Sequence, residues 1–331
     1  MNLCIGLPRG AGMLVPMIAA AFSTFCTSST AQTYPSKPVT LVVAYSAGGA
    51  IDTVLRIILP RLTASMGQPL LMINRPGAGG AIATDAVIAS GSDGYTLLVN
   101  GDQLVTAPHL MGAAIRHDIF RDLAPITRLV TVPFALAVNA AVPANTLAEF
   151  IALAKNKTSK LTYGTPGAGT SNQLAMEFLK SSTGADILHV PYKGAAAVMN
   201  DLVAGRVDSI MISIQLSAPH VKSGKLRALG IGGTARAAQI PGAPTFAEAG
   251  FPAFDIGTTF GLLAAAGTAE PIIGRLHAEF TAALRAPEAR KQIEDTGTLV
   301  TADTPAEFAK KLRADYEKNG KIIRDNRIQA E

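Results

Sequence analysis

The sequence alternates short apolar segments of strand type with longer segments in which apolar residues recur at helical spacing. The apolar runs 39–46, 69–74 and 95–101 are each followed by a turn and a helical pattern. The same order continues from 134–140 to 226–233. Because strands that alternate with helices form mainly parallel sheets with helices on both faces, the sequence predicts an α/β fold.

The alternation restarts near residue 134, and this indicates two lobes. A mature chain of about 300 residues has the length of one large domain or two ordinary ones. Two apolar segments, VPFALAV and FGLLAAAG, are the candidates to carry the chain between the lobes. The predicted boundaries are 32–133 with 258–331 for lobe 1, and 134–257 for lobe 2.

The first 31 residues have the layout of a secretory signal peptide. Arg9 precedes an apolar run of about fifteen residues, and Ser29 and Ala31 stand at the small-residue positions of a cleavage site. The run is shorter than the ~20 apolar residues that a membrane span needs. We therefore expect residues 1–31 to be removed after export from the cytoplasm, and both cysteines of the chain with them.

Composition and motifs exclude several classes of function. Hydrophobic residues make up 48% of the chain and charged residues 16%, which is typical of an ordered globular protein. The formal net charge of +5 is scattered, so nucleic acid is not an expected partner. The sequence has neither a G-x-S-x-G nor an H-E-x-x-H motif, and its histidines are not paired. We expect no catalytic residues, no metal and no cofactor.

Two glycine-rich turns, YSAGGAIDT (45–53) and YGTPGAGTS (163–171), each follow a strand and open a helix. The second is close to a nucleotide-binding loop but has Thr170 where that loop needs Lys. The first amides of a helix lack internal partners, and the helix dipole adds roughly half a positive charge there. Turns facing each other would hold an anion, most naturally a carboxylate, without a cation. The alternative is that both are ordinary packing turns.

Five further segments give the chain a specific resemblance. In order they are NRPGAGG (74–80), DGYTLL (93–98), HVPYKG (189–194), SGKLRALGI (223–231) and PTFAEAGFP (244–252). With them the chain resembles the periplasmic solute-binding proteins of the tripartite tricarboxylate transporter type, the Bug family, over nearly its whole mature length. The resemblance implies a two-lobed type II periplasmic-binding-protein fold, or Venus flytrap, in which each lobe is a central sheet flanked by helices.

The resemblance also implies a function and a site. It implies a monomeric periplasmic protein that binds a small organic carboxylate between one turn of each lobe and hands it to membrane permease subunits. The alternative is a sensing protein that signals to a membrane kinase. The family's turns match 46–53 and 165–172 here. The predicted ligand-binding residues are Ser46, Ala47, Gly48, Gly49, Asp52, Gln103, Thr165, Ala168, Gly169, Thr170, Ser171, Asn172, Lys193 and Ser213.

The chain departs from the family pattern in ways that bear on the ligand. Ser46 and Ala47 stand where relatives often have two prolines, and the first turn is partly apolar. An aromatic acid such as a terephthalate-like molecule therefore stays open beside di- and tricarboxylates. Asp102 would repel a second carboxylate, so either its side chain points away or the ligand carries a donor there. We expect Tyr45 and Phe260 in the core.

Overall fold

The computed structural model describes residue 1 and residues 34–156, 158–167, 169–252, 254 and 256–329. Apart from residue 1, the predicted signal peptide lies outside these ranges. None of the helices within them is both long and apolar enough to cross a membrane.

Strands and helices alternate through the described part of the chain, with short 3₁₀ turns at Ala78–Gly80 and Gly112–Ala114. The strands are β1 (Val39–Val43), β2 (Leu70–Asn74), β3 (Thr96–Gly101), β4 (Leu123–Asn139), β5 (Thr162–Thr165), β6 (Leu188–Pro191), β7 (Ser209–Ser213), β8 (Leu226–Ile231), β9 (Gly257–Ala265) and β10 (Leu299–Val300). The helices are α1 (Ala50–Met66), α2 (Ala81–Ala89), α3 (Gln103–Met111), α4 (Leu147–Lys155), α5 (Ser171–Thr183), α6 (Ala195–Val203), α7 (Ile214–Lys222), α8 (Glu270–Arg285), α9 (Pro287–Glu294) and α10 (Pro305–Asp325).

The strands form a mixed sheet in the order β2-β1-β3-β9-β4-β7-β5-β6, with β8 and β10 also paired to β4. β1 pairs in parallel with β2 and β3, and β5 pairs in parallel with β6 and β7. β4 and β9 run antiparallel to their neighbours. The predicted α/β organisation is therefore confirmed, with two antiparallel strands in the middle of a sheet that was expected to be parallel.

The 17-residue strand β4 joins the two halves of the sheet. It pairs with β9 from Leu123 to Pro133, and from Phe134 onward with β7 and β8. The sequence predicted a strand over 134–140 and in VPFALAV (132–138), but not over residues 123–131, which contain Pro125. Proline removes a ladder donor, and the pairing with β9 shifts register beside Pro125.

Each half of the sheet has its own core. In the first half, β1 is buried on both faces: Leu41 and Val43 pack in one cluster, whereas Val42 packs in another. In the second half, Phe150 of α4 and Met176 of α5 pack against the sheet. Two cores agree with the two predicted lobes, whose boundaries stay a prediction.

A smaller cluster joins helices from both halves of the chain. Leu174 of α5 packs with Ile322 and Ile323 of α10, and Leu110 of α3 lies against them. This cluster sits beside the second glycine turn, since a β-carbon on Gly169 would lie 2.6 Å from Leu110 Cδ1.

Candidate functional site

The two glycine turns have the same construction. In the first, the Gly48 amide donates to Asp52 Oδ2 at 3.1 Å, and Gly48 has a φ of 86°. In the second, the Gly169 amide donates to Gln173 Oε1 at 2.7 Å, and Gly169 has a φ of 72°. In both turns a left-handed glycine is held by the side chain four residues further on. These bonds fix the backbone just before α1 and α5.

The helix that follows each turn begins without a side-chain cap. Gly49 precedes α1 and has no side chain, and the Thr170 hydroxyl before α5 donates to the Gly167 carbonyl at 2.8 Å. Among the described residues, no group accepts a hydrogen bond from the amide of Ala50 or of Ser171. Free amides at a helix start attract anions, because the helix dipole points its positive end at them.

A cleft with about 1250 Å³ of empty space, counting the part open to solvent, adjoins the second turn. One wall is formed by Gly167 and by the start of α5, including Ser171 and Asn172. The opposite wall is formed by one face of α3, to which Gln103, Thr106, Ala107, Leu110 and Met111 contribute. The cleft thus lies between the two sheet halves, where a ligand would touch both.

Two aromatic rings complete the cleft. Tyr45 and Phe260 line it and contact each other edge to face, with ring centroids 5.1 Å apart. Both rings pack against the core of the first sheet half, as expected, and both also border the cleft. Phe260 is buried and packs in the core of the first sheet half, yet it also forms part of the cleft wall. An aromatic residue within a strand or just after it gives the same sequence signal whether it faces a core or a cleft.

Two predicted amide side chains line the cleft but already donate to the protein. Gln103 Nε2 donates to the Ala44 carbonyl at 3.1 Å. Asn172 Nδ2 donates to the Met211 carbonyl at 2.7 Å. Both bonds hold the side chain against a strand end. They leave each amide with one further N–H and its oxygen for a ligand.

Strand β9 separates this cleft from a second cavity. Thr258 and Phe260 line the cleft, whereas Gly257 and Thr259 line a cavity of about 730 Å³ on the other side. Alternate residues of a strand point to opposite faces, which explains the division. Asp102 lines the second cavity. Of the two alternatives for Asp102, the structure shows the first, in which the side chain points away from the cleft.

Asp102 is hydrogen-bonded to the strand that separates the cavities. Its Oδ1 accepts from the Thr259 amide at 3.2 Å. Burial, and then the nearby Asp315 carboxylate, raise the pKa of Asp102 to about 7. The Thr259 amide, Lys311 and the Ser171 hydroxyl act in the opposite direction. Ser171 also accepts from Thr258 Oγ1 at 3.3 Å, so its hydroxyl belongs to this junction.

The first turn lies outside the wall of the cleft. Ser46, Ala47, Gly48 and Gly49 are exposed at the end of β1, directly after Tyr45, and their contact with a ligand stays a prediction. Asp52 is buried and accepts from Arg56 Nε at 2.9 Å. Burial alone would raise the pKa of Asp52, but hydrogen bonds from Arg56 and the Gly48 amide outweigh it and hold the pKa below its ordinary value. The geometry favours a role for Asp52 in shaping the turn.

Thr165 also shapes its turn. It is fully buried, its hydroxyl donates to the Gly167 carbonyl at 3.0 Å, and it lies 2.7 Å from His189 Nε2. The structure therefore turns the Thr165 hydroxyl away from the cleft. Ala168, between Gly167 and Gly169, lies outside the described residues.

The last two predicted residues lie apart from the cleft. Lys193 is exposed in the turn between β6 and α6. Ser213 ends β7, and its carbonyl accepts from the Ser217 hydroxyl at 3.2 Å. Neither is part of the cleft wall. Their assignment as ligand contacts stays a prediction that this geometry does not support.

Comparison with known proteins gives a consistent result. The chain is 31% identical over 296 residues to protein BugT of Bordetella pertussis, covering 89% of this chain and 91% of BugT. The fold matches Rpa4515 of R. palustris, solved with adipate, at a TM-score of 0.77 and 28% identity, covering 90% of this chain and all of that one. It matches MatC of Rhodopseudomonas palustris, solved with bound malate, at a TM-score of 0.73 and 29% identity, covering 88% and 100%.

These similarities confirm the predicted fold class, that of a periplasmic binding protein. Residues 54–328 match the family described as the tripartite tricarboxylate transporter family receptor, a span that begins within α1 and includes all of α5. The chain therefore belongs to the tripartite tricarboxylate transporter receptor family of periplasmic solute-binding proteins.

Proposed function

We propose that this protein captures a small organic carboxylate in the cleft between α3 and the start of α5 and delivers it, in the periplasm, to the membrane subunits of a tripartite transporter. The observation that carries the proposal is the pair of equivalent helix starts, at Ala50 and Ser171, whose amides have no acceptor within the part of the chain that the structure describes. One of them opens on the cleft. The adipate and malate of the two structural neighbours support a carboxylate as the ligand.

The turns are built to hold an anion without a charged side chain. Asp52 and Gln173 fix the left-handed glycines, so the following amides are oriented before the ligand arrives. Such preorganisation reduces the entropy lost on binding. In this proposal the protein acts as a monomer, and its two lobes close to bring the first turn onto the same carboxylate. Closure excludes water and strengthens each hydrogen bond in the site.

The Ser171 amide can be tested alone, because it is the first residue of α5. Proline is tolerated at this position and removes only the N–H. The preceding Thr170 has a φ of −73° and a ψ of 156°, which proline accepts in a neighbour. We expect Ser171→Pro to weaken binding by about 1–3 kcal/mol relative to Ser171→Ala, since a carboxylate oxygen loses a donor. Calorimetric titration with the best acid from a carboxylate panel measures the difference.

The comparison with Ser171→Ala isolates the amide, because both variants lack the hydroxyl. The matching change in the first turn is Ala50→Pro, where Gly49 has a φ of −79° and a ψ of 177°. Circular dichroism of the free variants checks that α1 and α5 still form. Equal affinities for Ser171→Pro and Ser171→Ala would remove the α5 amide from the site. A panel in which no carboxylate binds would contradict the proposed function itself.

A further inference from the structure

The cleft wall has no charged side chain among the described residues. Taking the proposed carboxylate capture as its basis, we infer that the ligand is a monocarboxylate with an apolar, uncharged body. A single carboxylate would be held at the helix starts, and the remainder of the molecule would lie along α3 and the two aromatic rings. The inferred class of ligand excludes the di- and tricarboxylates that the sequence leaves open.

The hydroxyl groups near the second turn are already used within the protein. Thr170 donates to the Gly167 carbonyl, and Thr258 donates to Ser171. Ser171 in turn interacts with Asp102 across β9. With the bonds of Gln103 and Asn172 to strand ends, the polar side chains in the wall mainly organise the protein itself. The helix-start amides, together with the one N–H that Gln103 and Asn172 each keep, supply enough donors for one carboxylate.

The far wall of the cleft becomes apolar toward the C-terminal end of α3. The face of α3 that lines it begins with Gln103 and Thr106 and ends with Ala107, Leu110 and Met111. These residues follow one another at helical spacing and so form one continuous stripe. At its apolar end, a β-carbon on the neighbouring Gly79 would lie 3.5 Å from Met111 Sδ. Tyr45 and Phe260 add two ring surfaces on the same cleft.

A second carboxylate has no suitable place in such a cleft. At the apolar end it would lose its hydration without gaining a cation, which is costly for an ionised group. A methyl group or a ring edge in the same position would gain from leaving water. We therefore compare acids in pairs that differ only in the second carboxylate. In each pair the monoacid should bind more tightly than the diacid.

The test is a calorimetric titration of the mature protein with matched pairs at one pH. The pairs are butyrate with succinate, hexanoate with adipate, octanoate with suberate, and benzoate with terephthalate. For the pair that fits best, we expect the monoacid to bind at least tenfold more tightly. A diacid that binds as tightly as its monoacid, or more tightly, would overturn the inference and leave carboxylate capture intact. If none of the eight acids binds, the proposed function fails with it.

A substitution at the apolar end of α3 provides a second test of the inference. Met111→Arg places a cation where the inference locates the apolar body, and Met111→Leu changes the same position without charge. We expect Met111→Arg to reverse the order within the best pair by raising affinity for the diacid at least tenfold. We expect Met111→Leu to keep the monoacid first. If Met111→Arg left the order unchanged while the protein remained folded by circular dichroism, the body of the ligand would lie elsewhere.

Discussion

At the residue scale, the site depends on two glycines and the side chains that hold them. Gly48 and Gly169 both adopt left-handed backbone, and each donates to the residue four positions later. Asp52 and Gln173 thus both accept a hydrogen bond from a glycine amide, Asp52 through a carboxylate oxygen and Gln173 through an amide oxygen. Asp52 can lie beside the proposed anion site because its carboxylate accepts hydrogen bonds from the Gly48 amide and from Arg56.

The second turn contains a matched pair of glycines for a substitution test. Gly169→Ala requires a left-handed alanine whose β-carbon would lie 2.6 Å from Leu110 Cδ1. We expect it to lower the free energy of unfolding by about 1–2 kcal/mol. Gly167→Ala meets only ordinary contacts, at 3.8 Å from the Tyr192 carbonyl and 3.9 Å from Thr170 Cγ2, and we expect a change within about 0.5 kcal/mol. Urea denaturation compares the two variants.

Similar losses in both variants would show that the left-handed backbone at Gly169 is not what the turn requires. Ligand titration adds a second comparison. Because the strained turn precedes the Ser171 amide, Gly169→Ala should also weaken carboxylate binding.

Some site residues could be predicted from the sequence because their signal is local. The glycine turns precede helical patterns, and the chain order alone places Thr170, Ser171 and Asn172 at a helix start. The cleft-facing position of Tyr45 and Phe260 was not predicted, because periodicity gives a side chain a face but does not say whether that face borders a core or a cleft. The orientation of Asp102 depends on Thr259, 157 positions away, and no local pattern contains that contact.

At the scale of elements, strand β9 is the wall between two cavities, and three elements meet at one carboxyl group. Asp102 comes from the junction of β3 and α3, Thr259 from β9, and Ser171 from the start of α5. Two further charged groups, Lys311 and Asp315 of α10, face the same carboxyl from across the second cavity. The protonation state of Asp102 therefore acts on the contact between the sheet halves.

The raised pKa of Asp102 predicts how stability changes with pH. The folded protein keeps this proton up to about pH 7, whereas the unfolded chain releases it near the ordinary value of 3.8. Between these values the unfolded state binds fewer protons, so the contribution of Asp102 to stability is lost as pH rises from about 4 to 7. Asp102→Asn keeps the neutral shape at every pH. Over this pH range we expect the free energy of unfolding of Asp102→Asn to rise by roughly 1–3 kcal/mol relative to that of the wild type.

Urea denaturation at several pH values between 4.5 and 7.5 measures this gain. The control is Asp295→Asn, which removes a carboxylate whose side chain is 62% exposed and paired with Lys291. If the curves of wild type and Asp102→Asn run parallel across the range, Asp102 does not keep its proton in the folded protein.

Element boundaries were predictable where capping chemistry marks them. Thr146 followed three residues later by Glu149 predicts a capping box at the start of α4, and the Thr146 hydroxyl accepts from the Glu149 amide at 3.1 Å. The expected reciprocal bond is displaced by one residue, because Glu149 Oε2 accepts from the Asn145 amide. The length of β4 was not predictable in the same way. The part from Leu123 to Pro133 contains two prolines, and it is a strand through pairing with β9 and, at Val130 and Thr131, with β10.

At the scale of the whole molecule, the chain has two cores but one continuous sheet. β4 pairs with β9 in one half and with β7 and β8 in the other, without a break at residue 134. A β-carbon on Gly257 would lie 2.5 Å from the Val132 carbonyl, so the strands pass each other closely at this point. Alternation along the sequence predicts the layers, but which strands join the two sheet halves depends on pairings between distant segments.

The shared strands predict how the molecule unfolds. A cut at the predicted lobe boundary near residue 134 would divide β4 within its own ladder, and Leu174 of α5 packs on Ile322 of α10 across the halves. We therefore expect the protein without residues 1–31 to unfold in one cooperative transition, with equal calorimetric and van't Hoff enthalpies, although two-domain proteins often unfold in steps. Differential scanning calorimetry measures this.

A carboxylate at one hundred times its Kd should stabilise the whole transition by about 2.7 kcal/mol, and less in Ser171→Pro at the same concentration. Two resolved transitions, with only one shifted by the ligand, would show that the lobes are energetically independent and that the acid is held by one of them alone.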